Sequence, residues 1–166
     1  LSREAKDHEV AAELNLSCPN CPGLDRSDYK NVLPLVVRRS ALCSLQIIVK
    51  LPPVGYLPLV RQALDTGITS FHCCNTLPTP GGGLSGQPLK LLSLQAIRDV
   101  RNLAHAKGYG LRNLIGGGGI RRWEDAMEYL AAGATNVAVG SMLFNPFNWA
   151  HARDIATRLL QVKMSV

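Results

Sequence analysis

The chain has 166 residues, of which 46% are hydrophobic and 18% charged, with a formal net charge of +6. That usage excludes a disordered polar chain and leaves room for one domain with a sizeable core. Lys, Arg, Asp or Gln interrupts every apolar run well before the ~18 residues a membrane span needs, and the opening Leu1-Ser-Arg-Glu-Ala-Lys-Asp-His-Glu lacks a signal peptide's apolar stretch and reads as part of a helix.

In chain order, Ala12-Glu-Leu-Asn-Leu-Ser17 alternates as a strand does and is ended by Pro19, Pro22 and Gly23. Residues 28–42 predict a helix with Val32, Leu35, Val36 and Leu42 inward and Pro34 in the first turn, where a missing N–H costs least. Gln46-Ile-Ile-Val-Lys-Leu51 is a buried-strand run closed by Pro52-Pro53, residues 56–64 a short helix stopped by Gly67, and Ile68-Thr-Ser-Phe-His-Cys73 a strand. A Pro- and Gly-rich loop spans 76–88. Residues 92–107 place Ile97, Val100, Leu103 and Ala104 on one helical face before Gly108. Arg112-Asn-Leu-Ile115 is a strand running into Gly116 to Gly119, and 121–132 a helix with Trp123, Met127, Leu130 and Ala131 inward. Thr135-Asn-Val-Ala-Val139 is a strand ending at Gly140-Ser141. The last helix, 149–160, faces Trp149, Ile155, Ala156 and Leu159 inward.

Five β-then-α units in series, with no composition break between them, predict right-handed crossovers and a parallel sheet in a single α/β domain over 1–166. Ligands on such sheets bind at the carboxyl ends of the strands. Every unusual loop here follows a strand, whereas the loops after helices are plain. The distinctive chemistry therefore projects from one face.

Two glycine clusters on that face make an anion-site candidate. Backbone N–H groups of Gly116 to Gly119 can approach a phosphate, the helix that follows adds its positive end, and Gly140-Ser141 supplies further donors; tight turns with no ligand are the plainer reading. Cys18, just past a strand end and flanked by Asn15 and Asn20, suits a thiol acid or base beside amides that orient a polar ligand, or simply a small buried residue. Lys50 closes an apolar run, so its ammonium sits at the sheet's mouth, where it can meet an anionic ligand oxygen or act as an ordinary strand-end lysine. Asn75 and Thr76 end the next strand in the same region. His72 sits within a strand as a core residue, and His8, His105 and His151 show no metal spacing.

Five cysteines, at 18, 21, 43, 73 and 74, form an odd set that fits reduced thiols in a cytoplasmic protein. Cys18-x-x-Cys21 has no second matched pair for zinc, and Pro22-Gly23 suits a turn rather than a redox helix start. The basic excess favours phosphate-bearing ligands. With only Arg38-Arg39 and Arg121-Arg122 paired and 5% aromatic residues, no nucleic-acid partner is expected.

Taken in order, Asn15-Leu-Ser-Cys-Pro-Asn20 with Pro22-Gly23, Val49-Lys-Leu-Pro-Pro53, Asn75-Thr76, Gly82-Gly-Leu-Ser-Gly86, Ile115 to Ile120 and Val139-Gly-Ser141 resemble the dihydroorotate dehydrogenases over nearly the whole chain from Ala12. The resemblance implies an FMN-dependent (β/α)₈ barrel that oxidises dihydroorotate to orotate in pyrimidine synthesis. It implies Cys18 as the base, similar to the class 1 enzymes; Asn15, Asn20, Asn75 and Thr76 as substrate contacts; and Lys50, Gly86, Gly118, Gly119, Gly140 and Ser141 as FMN contacts. A homodimer is compatible with it. Gly117 departs from the family's larger residue, a change expected to loosen the turn, and Cys74 from its usual Thr or Ser. The alternatives are a related flavin reductase of uracil rings, of the dihydropyrimidine dehydrogenase or tRNA-dihydrouridine synthase type, and an inactive phosphate-binding remnant. At roughly 30 residues per βα unit, the length matches about five units, whereas a closed barrel of eight needs about 250 residues. The chain is thus expected to be the last five units of a barrel, with about three lacking at its amino end.

Overall fold

Short β-rich runs and longer helical segments do alternate, and all the long strands run the same way. The computed structural model describes residues 10–15, 17 and 29–164. Strands β1 (Ala11–Leu14), β2 (Gln46–Leu51), β3 (Ser70–Cys73), β6 (Asn113–Gly117) and β7 (Asn136–Ala138) form one sheet in the order β1-β2-β3-β6-β7, every pair parallel. Helices α1 (Tyr29–Ala41), α2 (Leu57–Asp65), α3 (Lys90–Ala106) and α4 (Trp123–Ala132) lie between successive strands, and α5 (Trp149–Met164) follows the last. The 76–88 segment is more ordered than a loop. Leu77–Thr79 (β4) and Gly82–Leu84 (β5) pair as an antiparallel hairpin, with the Thr79 hydroxyl donating to the Gly82 carbonyl across the turn at 2.7 Å.

Alternation along the strands divides the sheet into two faces. Val49 and Leu51 of β2, Phe71 and Cys73 of β3 and Leu114 of β6 point to the helical side and are buried there with Val60, Ala63 and Leu64 of α2 and Ala96, Ile97 and Val100 of α3. The opposite face sets polar pairs among Ile48 and Ile115: Gln46 Nε2 donates to Ser70 Oγ at 2.8 Å, and Asn136 Nδ2 to Asn113 Oδ1 at 3.3 Å.

Helix orientation is where periodicity misled. In α4 the buried residues are Asp125, Ala126, Tyr129 and Ala132, and Met127 is exposed. Gly116 leaves a hollow in β6 that the Tyr129 ring fills, since a Cβ at Gly116 would collide with that ring, and this turns α4 away from the expected face. In α1 the buried residues are Tyr29 and Leu33, Leu35 is exposed, and so is Leu42 just past the helix end; Pro34 lies inside the helix rather than in its first turn. Trp149 of α5 is exposed, whereas Ile155 is buried as expected, and α3 presents Ile97, Val100 and Ala104 inward as its spacing required.

The start of α4 is fixed by charge. Asp125 Oδ2 accepts from the Arg121 and Arg122 backbone N–H groups at 2.9 and 3.2 Å, and its Oδ1 receives Lys90 Nζ of α3 at 2.6 Å. Burial alone would raise the Asp125 carboxyl, but Lys90 and the two backbone donors outweigh it and hold it below the ordinary value. A depressed folded pKa contributes stability above the unfolded pKa, near 4, and that stability is lost as pH falls through the lower folded value. Asp125→Ala is accordingly expected to cost about 1–2 kcal/mol at pH 7, with the difference from wild type shrinking below pH 4 in denaturant melts.

Candidate active site

At the carboxyl end of the sheet, polar-face positions of three strands meet. Lys50 Nζ donates to Glu13 Oε1 at 3.0 Å, and Glu13 Oε2 lies 2.6 Å from His72 Nδ1. Burial pushes the Glu13 carboxyl up, but His72 and Lys50 pull it lower overall, so it is ionised at neutral pH and the short contact requires a proton on Nδ1. His72 is itself shifted down, first by burial and further by Lys50, against the opposing pull of Glu13. The neutral ring is then the Nδ1–H tautomer, with Nε2 an acceptor. This corrects the expectation that His72 belongs to the core: Phe71 and Cys73 take the helical side, and parity turns His72 to the other. Lys50 stands at the mouth as expected, but with its charge shared with Glu13, which sequence reasoning passed over. The signal was available, because Glu13 alternates with Asn15 and Ser17.

Just beyond these strand ends lies an amide cluster. Asn75 is buried; its Nδ2 donates to Asn15 Oδ1 at 2.7 Å and Ser17 Oγ at 3.2 Å, while its Oδ1 accepts from the Thr76 N–H at 2.9 Å. Ser17 Oγ in turn donates to the Lys50 carbonyl at 3.4 Å. Both Asn75 donors are thus engaged, which fixes the amide's orientation and leaves a lone pair on Oδ1 for a ligand. The structure therefore unites Asn15, Asn75 and Thr76. Cys18 and Asn20, the expected base and second amide, lie outside the described residues.

Lys50, His72, Asn75 and Thr76 line a cavity of about 380 Å³ together with Gly86, Gly117, Gly118, Gly119, Gly140 and Ser141. Both expected glycine clusters therefore face the same space as the expected polar residues. Gly86, Gly118 and Gly119 have φ of 79°, 112° and 71°, the left-handed region that favours glycine. A Cβ at Gly119 would stand 3.0 Å from Gln87 Cα and Lys90 Cβ, so the turn packs directly on the start of α3. Tyr129 Oη donates to the Gly118 carbonyl at 2.7 Å and directs that carbonyl toward α4. At Gly117 a Cβ would sit 2.8 Å from His72 Nε2, so the imidazole occupies the room that a larger residue there would need. Cys74 also lines the cavity, and burial pushes its thiol up to about 11, so it stays protonated at neutral pH. Among the described residues no group of three or more His, Cys, Asp or Glu could hold a metal ion.

A family profile described as "Dihydroorotate dehydrogenase" matches residues 3–162. The chain belongs to the dihydroorotate dehydrogenase family. It is 32% identical over 155 residues to dihydroorotate dehydrogenase A (fumarate) of Limosilactobacillus reuteri (strain DSM 20016), covering 81% of this chain and 48% of that protein. It is 32% identical over 157 residues to the catalytic subunit of dihydroorotate dehydrogenase B (NAD(+)) of Alkaliphilus metalliredigens (strain QYMF), covering 81% and 49%. The chain thus spans about half the length of these curated dihydroorotate dehydrogenases. The crystal structure of the Eimeria tenella enzyme in complex with ferulenol superposes with a TM-score of 0.70 at 24% identity, over 92% of this chain and 49% of that one. The five βα units are therefore part of a (β/α)₈ barrel of the dihydroorotate dehydrogenase type, as the motif order implied. Among the described residues no helix is long and apolar enough to cross a membrane.

Proposed function

We propose that the protein carrying this chain is an FMN-dependent dihydroorotate dehydrogenase that oxidises dihydroorotate to orotate in pyrimidine synthesis. The observation that carries this reading is one cavity lined both by the glycine clusters and by Lys50, Asn75 and Thr76. The glycine clusters fit a phosphate: three left-handed glycines and the open space beside Gly140, where a Cβ would meet nothing within 4 Å, leave backbone N–H groups approachable. Gly86, Gly118, Gly119, Gly140 and Ser141 would hold the phosphate end of FMN, and Lys50 its ring. When bound, FMN supplies the acceptor for the hydride that leaves C6 of the substrate. The chain's own residues do the rest. Asn15, Asn20, Asn75 and Thr76 hold the pyrimidine ring, and Cys18 Sγ takes the proton from C5, so that the C5–C6 double bond forms as the C6 hydride departs.

Full-length protein is expected to copurify with a flavin absorbance band, or to acquire one on adding FMN, and to reduce an artificial acceptor with dihydroorotate. Gly119→Ala, which strains a left-handed position against α3, is expected to raise the Kd for FMN at least tenfold. Flavin-free protein that takes up no FMN would overturn the assignment, and bound FMN without turnover would favour a phosphate-binding remnant.

A further inference from the structure

The Glu13–His72 pair stands inside the cavity with no role in the scheme above. Glu13 holds Nδ1 at 2.6 Å, and Lys50 on the carboxylate's other oxygen keeps that oxygen from turning away. Three strands thereby fix the imidazole plane, since Glu13 comes from β1, Lys50 from β2 and His72 from β3. On the far side the ring edge abuts Gly117, the one position in β6 where a side chain would displace it. Nε2 is the ring's remaining polar atom. It belongs to a residue that lines the cavity, and no described residue bonds it.

Glu13 and Lys50 are the charged groups that face the ring; from β6 and β7, Gly117 and Ala138 bring no titratable group, and Cys74 in the same cavity is neutral. A carboxylate-held imidazole of this kind is an oriented acceptor on the exposed nitrogen. The neighbouring Lys50 is an oriented donor. An acceptor on Nε2 is the complement of a ring N–H, and the Lys50 ammonium, held on the same carboxylate as the imidazole, is the complement of a ring carbonyl.

We propose that His72, positioned by Glu13, accepts a hydrogen bond through Nε2 from a ring N–H of the FMN bound in this cavity. This rests on the flavin reading and adds to it a binding residue and its positioning partner. It also gives Gly117 a purpose, because the imidazole reaches the cavity only where position 117 has no side chain.

The test uses full-length protein with ¹⁵N-labelled histidine. On saturation with FMN, the Nε2 resonance of His72, identified by its absence from His72→Gln, is expected to move in the direction of an accepted hydrogen bond. His72→Leu is expected to raise the Kd for FMN about tenfold, the effect of one hydrogen bond. His72→Gln, which keeps an acceptor at similar reach, is expected to stay within about threefold of wild type. An unmoved Nε2 resonance at saturation, or wild-type affinity in His72→Leu, overturns the inference and leaves the flavin reading standing. No FMN uptake by the wild-type protein overturns both. Because the resonance is read in unaltered protein, a variant that fails to fold does not obscure the answer.

Discussion

Cys18→Ala is expected to lower the rate of dihydroorotate oxidation by about 10²–10⁴-fold while leaving FMN binding within a factor of about two, because a general base contributes that range to the transition state and none of it to the ground state. Ser17, the neighbour of Cys18 in sequence, donates to the Lys50 carbonyl and accepts from Asn75, which ties Ser17 to β2 and to the end of β3. Asn75 has both donors committed, so its amide stays fixed. Single-turnover reduction of bound FMN by dihydroorotate separates this effect from substrate binding. A Cys18→Ala protein that reduces FMN at the wild-type rate would sink the assignment. Cys74 is no substitute, since burial keeps its thiol protonated at about 11.

The second large effect concerns stability. Gly116→Ala places a methyl group where the Tyr129 ring lies, and overpacking of this kind costs about 1–3 kcal/mol. Tyr129 is fully buried, and its hydroxyl bonds the Gly118 carbonyl, so a displaced ring also releases the phosphate-side turn. The expected result is a lower denaturant midpoint together with weaker FMN binding. Gly116→Ala combined with Tyr129→Leu is expected to be less destabilised than the sum of the two, because both changes act on one volume. Strict additivity would show that the ring is not the obstacle.

The strands, their parallel order and the face that carries the chemistry were legible because each rests on a local signal: apolar runs ended by Pro or Gly, and unusual residues confined to the loops after strands. That Asn75, Thr76, Gly86, Gly118, Gly119, Gly140 and Ser141 share one cavity was legible because the same short motifs mark both loop geometry and family. Helix orientation was less legible. Which face of α4 turns inward depends on the hollow left by Gly116, a residue in another element, and periodicity within α4 carries no trace of it. The Glu13–His72–Lys50 group was hidden for a related reason. Each residue is unremarkable in its own strand, and only the parallel register that sets Lys50 beside His72 and Glu13 beside Ile48 assembles them. The 77–84 hairpin escaped notice because Pro78 and three glycines disguise two three-residue strands as loop.

The cavity draws its walls from β2, the ends of β3, β6 and β7 and the turn before α3, so its lining runs from Lys50 to Phe144. A parallel sheet of this kind closes its loops late in folding, since each pairing waits on a whole intervening helix. Any molecule bound there touches only the finished arrangement, and it stabilises the native state by RT ln(1 + [L]/Kd), about 2.7 kcal/mol at one hundred times Kd. Four consecutive βα units are thereby tied to one ligand occupancy. On the proposed flavin reading, cofactor supply during synthesis sets how long the half-assembled sheet remains open to proteolysis, and riboflavin-starved expression is expected to lower the amount of protein as well as its flavin absorbance.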